Sequence, residues 1–328
     1  MILAGDVGGT KTRLALYRES PEGFTRSAIR RFDSKAFAGL AEMVEGFLSE
    51  HGAEVQAACF GIPGPVVNGE VSVTNLPWRL SERDLSTRLG IPRVRLVNDL
   101  VATGAGVPHL AAGQLHTLNE GVPVPNAPVL AVLAPGTGLG QAYLVRRGHR
   151  YEVLPSEGGH VEFSPQSDEE IALLQHLRSI YGHVSAERVI SGMGIENIYR
   201  FLRDTGRGVE SPELAERMKR EAPAAVVGQC ALAGTSELCV RTLDIFARLL
   251  GAQAGNLVLT YLATGGVYLG GGVPPKVLAK LKDGSTLAGF LDKGRFTELV
   301  RRTPLHVILD DEAAVIGAAH LARELAAP

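Results

Sequence analysis

Two periods alternate along this chain. Short apolar runs bounded by glycine, proline or acidic residues read as strands, and stretches with apolar positions three and four apart read as helices. Leu3 to Val7 and Thr12 to Leu16 are two such runs around Gly8-Gly9-Thr10-Lys11, which predicts a strand, a tight turn and a returning strand. Ser34 can cap a helix whose apolar face is Phe37, Leu40, Val44, Phe47 and Leu48, with Gly52 just past its end. Residues 56–62 predict a buried strand closed by Pro63-Gly64-Pro65, and residues 93–97 another that runs into Asn98-Asp99 and a small-residue helix to Gly106. Residues 107–128, with Pro108, Pro123, Pro125 and Pro128, suit a crossing between domains. Leu130 to Ala142 then repeats the opening theme of strand, Gly-Thr turn and strand: shifted by 127 positions, Leu3, Ala4, Gly9, Thr10 and Ala15 fall on Leu130, Ala131, Gly136, Thr137 and Ala142. Further on, residues 168–181, 185–203, 236–263 and 312–326 read as helices, the last capped by Asp310 or Asp311, and residues 265–273 as a strand ending in a glycine triplet.

This alternation is that of an α/β protein, and 328 residues with 45% hydrophobic content are enough for two domains. The expected division is 1–109 plus 312–328 as a small α/β domain and 110–311 as a large one. The 33 basic and 35 acidic residues are interspersed, for a net charge of -2, so no basic field exists to hold nucleic acid or an anionic membrane. Cys59, Cys230 and Cys239 are odd in number and scattered, which indicates neither a disulfide framework nor a cysteine zinc site and fits a reducing cytoplasm. No apolar run approaches ~20 residues and no signal peptide precedes the first strand, so a cytoplasmic protein without a membrane span is expected.

The chemistry begins in the first turn. Gly8 and Gly9 allow backbone N–H groups to curl round an anion, Thr10 adds a hydroxyl, Lys11 adds charge, and Asp6 can face magnesium directly or through water. An ordinary Gly-Gly hairpin is the plainer alternative. Asn98-Asp99 follows a buried strand, where α/β proteins place reacting groups, with a helix cap as the plainer alternative for Asp99. Trp78 and Tyr268 are assigned to the core.

Taken together, D-V-G-G-T-K, N-D-L-V-A, A-P-G-T-G-L-G, S-E-G-G-H-V-E-F, H-V-S-A-E-R-V-I-S-G and L-G-G-G-V-P-P-K resemble the bacterial ATP-dependent glucokinase family over nearly the whole chain. The resemblance implies the duplicated ribonuclease-H-like fold of actin and hexokinases, with two α/β domains around a cleft and the final helix returning to the first. It also implies ATP, magnesium and glucose as ligands, a cytoplasmic homodimer, and no nucleic-acid partner. By motif, Asp99 resembles the family's catalytic base. Asn98, Glu157, His160, Glu187 and, less directly, Asn75 resemble its sugar contacts. Gly8, Gly9, Thr10 and Lys11 would form one phosphate turn, and Gly136, Thr137 and Gly138 the other. Gly271 and Gly272 would approach adenosine. Lys11 stands where many members carry asparagine. The related repressor/kinase family binds zinc through a cysteine-rich stretch; residues 163–183 hold no cysteine, so no zinc is expected.

Phosphoryl transfer to a hydroxyl needs shielded phosphate charge and a group to take the proton late, a role open to Asp99. Fixed donors and acceptors around neutral hydroxyls would give the choice of hexose. Closure on sugar binding is expected from the distribution of these residues over both domains. The competing expectations are a kinase for another hexose or amino sugar, a polyphosphate-using enzyme, a sugar-binding regulator, and an actin-like or chaperone ATPase.

Overall fold

The computed structural model describes residues 1–20 and 23–326. The expected first-domain segment 312–328 ends in residues 327 and 328, which lie outside the described residues, as do residues 21 and 22. The chain forms two compact units, one of residues 1–111, 147–155 and 310–328, the other of residues 112–146 and 156–309.

The first unit opens with strands β1 (Ile2–Val7), β2 (Lys11–Ser20) and β3 (Gly23–Asp33), followed by helix α1 (Leu40–His51) and strand β4 (Ala57–Ile62). A small hairpin, β5 (Glu70–Ser72) with β6 (Arg79–Ser81), precedes α2 (Glu82–Leu89), β7 (Arg93–Asn98) and α3 (Asp99–Gly106). The sheet order is β3-β2-β1-β4-β7, with β1, β2 and β3 antiparallel and β1, β4 and β7 parallel. Alternation along β1 explains why both faces are covered. Leu3 joins Leu14, Leu16, Phe47 and Phe60 on one side, whereas Ile2 and Ala4 join Ala15, Ala57, Cys59 and the C-terminal helix on the other.

In the second unit come β8 (Leu115–Asn119), β9 (Val129–Pro135) and β10 (Leu139–Arg147); β11 (Arg150–Ser156) follows. Helices α4 (Asp168–Tyr181), α5 (Gly192–Asp204), α6 (Pro212–Arg220), α7 (Pro223–Leu232) and α8 (Glu237–Tyr261) lead to β12 (Val267–Leu269). Short helices α9 (Leu278–Leu281), α10 (Ser285–Leu291) and α11 (Thr297–Arg301) precede β13 (Leu305–Ile308). The strands of this unit run β10-β9-β12-β13-β8, so an antiparallel hairpin again leads to parallel neighbours. The long α8 is buried through Leu243, Phe246, Leu250, Leu257 and Val258. No helix among the described residues is long and apolar enough to cross a membrane.

Three local expectations need correction. Ser34 caps no long helix: Asp33 caps a short 3-10 turn, α1 starts at Leu40 after Gly39, and Ser34 itself is buried. The stretch 185–203 is not one helix, because Ser191 caps α5 afresh and leaves only a 3-10 turn over Ala186–Arg188. The two glycine hairpins are not copies residue for residue. The first closes Val7 against Thr12, the second Pro135 against Leu139, so the second turn is one residue shorter.

Helix α12 (Ala313–Ala326) buries an alanine-rich stripe against the first sheet and crosses α3 backbone to backbone. A side chain added at Gly317 would collide with the carbonyl oxygen of Ala102, and one at Gly106 with that of Ala313. Gly317→Val is therefore expected to cost about 1–3 kcal/mol or more, read by urea unfolding, and to lower activity because α3 begins at Asp99. Unchanged stability and activity would show that the crossing tolerates separation.

Candidate active site

In the first unit three parallel strands end side by side. Asp6 pairs with Gly61 in register, Gly61 with Val97, and Ile62 with Asn98, so Asp6 and the Asn98-Asp99 pair lie at neighbouring strand ends. Gly61 lies between them with room for hydrogen only: a methyl there would lie 2.7 Å from the Ala102 Cβ and 3.6 Å from the Asp99 Cα. Asn98 caps α3, its Oδ1 accepting from the Leu100 N–H at 3.0 Å and its Nδ2 donating to the Gly64 carbonyl at 3.2 Å. Asp99 Oδ1 accepts from the same N–H at 2.8 Å. Burial raises the Asp99 pKa above the ordinary aspartate value.

Asp6 is pushed up to about 6, first by burial, against the pull of Arg13 and with a further push from Asp99. Arg13 Nη1 lies 3.6 Å from Asp6 Oδ2, and the same guanidinium is paired with Asp311. The adjoining turn is fastened from beneath. Gly8 N–H donates to the Lys11 carbonyl at 3.0 Å, and Ser34 N–H to the Thr10 carbonyl at 3.0 Å. Ser34 Oγ donates to the Gly8 carbonyl at 2.7 Å and lies 3.0 Å from Thr12 Oγ1. Thr10 and Lys11 are exposed above it. Asn75, in the left-handed region at φ 67°, sits over Gly9, where an added Cβ would be 3.2 Å from its own.

In the second unit the turn Gly136-Thr137-Gly138 closes through Gly136 N–H to the Gly138 carbonyl at 2.8 Å. Gly192 N–H, at the start of α5, donates to the Gly136 carbonyl at 2.8 Å, which sets a helix N-terminus on the turn. Glu187 Oε2 accepts from Leu139 N–H at 2.8 Å, leaving Oε1 open. The segment carrying Glu157 and His160 packs Gly159 onto the Leu139 carbonyl, and Val161 accepts from the Ala186 N–H at 2.8 Å. The S-E-G-G-H and S-A-E-R motifs thus meet beside one turn. Glu157 (92% exposed) and His160 lie 3.8 Å apart and face solvent. Gly271, at φ 77°, backs onto Pro135, and Gly272 opens into a cavity of about 800 Å³ lined by Gly136, Thr137, Gly192, Ala224, Gly272 and Lys276. Its size suits a drug-sized ligand such as a nucleotide. No cluster of three or more metal-ligating side chains occurs among the described residues.

The family model described as Glucokinase matches residues 3–325. A glucokinase of Nostoc punctiforme is 39% identical, covering 99% of both chains, and one of a Synechocystis species is 41% identical, covering 97% of this chain and 96% of the relative. The chain belongs to the glucokinase family. It shares its structure with a glucokinase from an Antarctic psychrotroph at a TM-score of 0.88, with 31% identity over 98% of each chain. A ROK family glucokinase from Streptomyces griseus in complex with glucose and AMPPNP shares the fold at a TM-score of 0.62, 20% identity and coverage of 98% and 99%. Membership makes this an ATP-dependent hexose kinase with the actin-like ATPase fold.

For a glucokinase, sequence reasoning passed over several residues of this region. In the sequence Arg13 is one more residue of a strand and Ser34 looks like a helix cap. The cavity wall from Gly192 and Ala224 carries no polar chemistry to announce it, although Pro223 at the first turn of α7 is a legible helix start.

The raised Asp6 pKa is also a statement about stability. The neutral acid is favoured in the fold, a benefit fully present below pH 3.8 and lost as pH rises through about 6. At pH 7.5 the ionised side chain costs about 2–3 kcal/mol. Asp6→Asn is therefore expected to melt at or above the wild-type temperature at pH 7.5 and to lose most activity, the stability gap closing as pH falls towards 4. A variant several degrees less stable at pH 7.5 would contradict this.

Proposed function

We propose that this chain transfers the γ-phosphate of ATP to the 6-hydroxyl of glucose, with Asp99 taking the hydroxyl proton. The observation that carries the reading is the state of Asp99: partly withdrawn from water at the start of α3, with one oxygen held by Leu100 N–H and its proton affinity raised by burial. A raised pKa makes it a better proton acceptor than an ordinary aspartate, and it still cannot ionise an alcohol in advance, so proton transfer follows bond formation to phosphorus.

Asn75, Asn98, Glu157, His160 and Glu187 join Asp99 in holding sugar hydroxyls. The carboxylates of Asp99 and Glu187 supply acceptors of the kind a sugar hydroxyl needs, and the exposure of Glu157 and His160 supports their engaging a ligand. Gly8, Gly9, Thr10 and Lys11, with Gly136, Thr137 and Gly138, hold the triphosphate, and Gly271 and Gly272 lie along the adenosine. Magnesium fits the residues present. It binds through one or two carboxylates together with substrate phosphates, and Asp6 is a half-buried carboxylate whose charged form a neighbouring cation would favour. Bound with the nucleotide, the ion shields phosphate charge. The protein acts in the cytoplasm as a homodimer, at the entry of glucose into glycolysis; the free thiols of Cys59, Cys230 and Cys239 suit that compartment.

ADP release with ATP, magnesium and a panel of hexoses is expected to give the highest kcat/KM with glucose. Asp99→Asn is expected to lower kcat by about 10²–10⁴. Glucose should still perturb the fluorescence of Trp78, the chain's single tryptophan, whose carbonyl accepts from Val73 N–H at the base of the Asn75 loop. Preference for another hexose would overturn the substrate, and an Asp99→Asn turnover within about tenfold of wild type would remove Asp99 from its role.

A further inference from the structure

The cavity beside the Gly136-Thr137 turn is walled mostly by small and apolar side chains, with two charged residues among those that line it, Glu196 and Lys276. Glu196 is engaged by Arg200 one helical turn away. Lys276 is exposed, and among the described residues its ammonium has neither an ion pair nor a hydrogen-bond partner. Its backbone is held by hydrogen bonds. Gly270 N–H donates to the Leu133 carbonyl at 2.9 Å and Val273 N–H to the Pro135 carbonyl at 3.1 Å, which stitches the glycine triplet to the strand that ends in the phosphate turn. The 3-10 turn Pro274–Val277 starts from that anchor, and Lys276 N–H closes it onto the Val273 carbonyl at 3.0 Å.

Lys276 is thus rooted one turn away from the residue that precedes Gly136, on the cavity wall, with a flexible four-carbon stem to reach inward. A polyanion entering this cavity would meet backbone N–H groups at the turn and a single unengaged cation beside them. We propose that Lys276 is a further nucleotide-contacting residue, its ammonium binding the phosphate chain of the nucleotide rather than the base or ribose. The inference rests on the reading that this cavity takes ATP.

Calorimetric titration of the full chain with ATP, ADP and adenosine separates the possibilities. Lys276→Met is expected to weaken ATP and ADP by about tenfold and adenosine by less than about twofold, and Lys276→Arg to restore most of the loss. Ala224→Trp, which fills the same cavity without touching charge, is expected to abolish binding of all three. If Ala224→Trp abolishes ATP binding and Lys276→Met leaves it unchanged, the lysine is not a phosphate contact. The same conclusion follows if Lys276→Met weakens adenosine as much as ATP. If ATP binds Ala224→Trp normally, the cavity is not the nucleotide site, and both readings fall together.

Discussion

Holding carboxylates where water is scarce is the constraint around which the first unit is arranged. Asp6 and Asp99 lie at the ends of parallel strands on either side of β4, and the charge of Asp99 raises the cost of charging Asp6. A fold selected for stability alone would place neither there. The compensations are specific: Arg13 beside Asp6, itself steadied by Asp311, and Leu100 N–H on Asp99. The close crossing of α3 and α12 through Gly106 and Gly317 keeps the helix that starts at Asp99 tight against the sheet. The result is an aspartate whose proton affinity is raised by its surroundings, the property the proposed base requires, and a carboxylate whose charge a bound cation would favour.

The second unit uses the same antiparallel hairpin with parallel neighbours to a different end. Its glycine turn is one residue shorter, carries no acidic residue before it, and is bracketed by the start of α5 and by Glu187. Missing side chains do most of the positioning. Gly159 lets the S-E-G-G-H segment rest on the Leu139 carbonyl, and that segment in turn pairs with the stretch that carries Glu187. Two hairpins of one topology have therefore diverged into an acidic strand end and a turn backed by a helix N-terminus.

Much of this was legible in the residues, for identifiable reasons. Both hairpins announce themselves as apolar runs broken by glycine, α4 and α8 by their caps Ser167 and Ser236, and Asn98-Asp99 by its place after a buried strand. What escaped notice is equally physical. Ser34 precedes an apolar-periodic stretch and looks like a cap, but its hydroxyl is used across the sheet on Gly8, a long-range contact that no local pattern encodes. The helix expected over 185–203 breaks because Ser191 bonds Gly194 N–H, just before Gly192 meets the Gly136 turn. Much of the cavity wall is alanine, glycine and valine, and small residues carry no sign of what they border. Lys276 follows two prolines in a segment that reads as a plain turn, and its significance rests on the two hydrogen bonds that tie that turn to β9.

The central claim, that carboxylates with raised proton affinity at the ends of β1 and β7 must be ionised for catalysis, is tested most directly by the pH dependence of kcat/KM for ATP at saturating glucose. That profile reports the titrating groups of the enzyme before the nucleotide binds. With Asp6 pushed up to about 6 and Asp99 raised above the usual aspartate range, the rate should be full above neutrality and fall as pH drops through about 6, with circular dichroism unchanged over the same interval. A rate constant that stays level down to pH 5 in the folded protein would contradict the account.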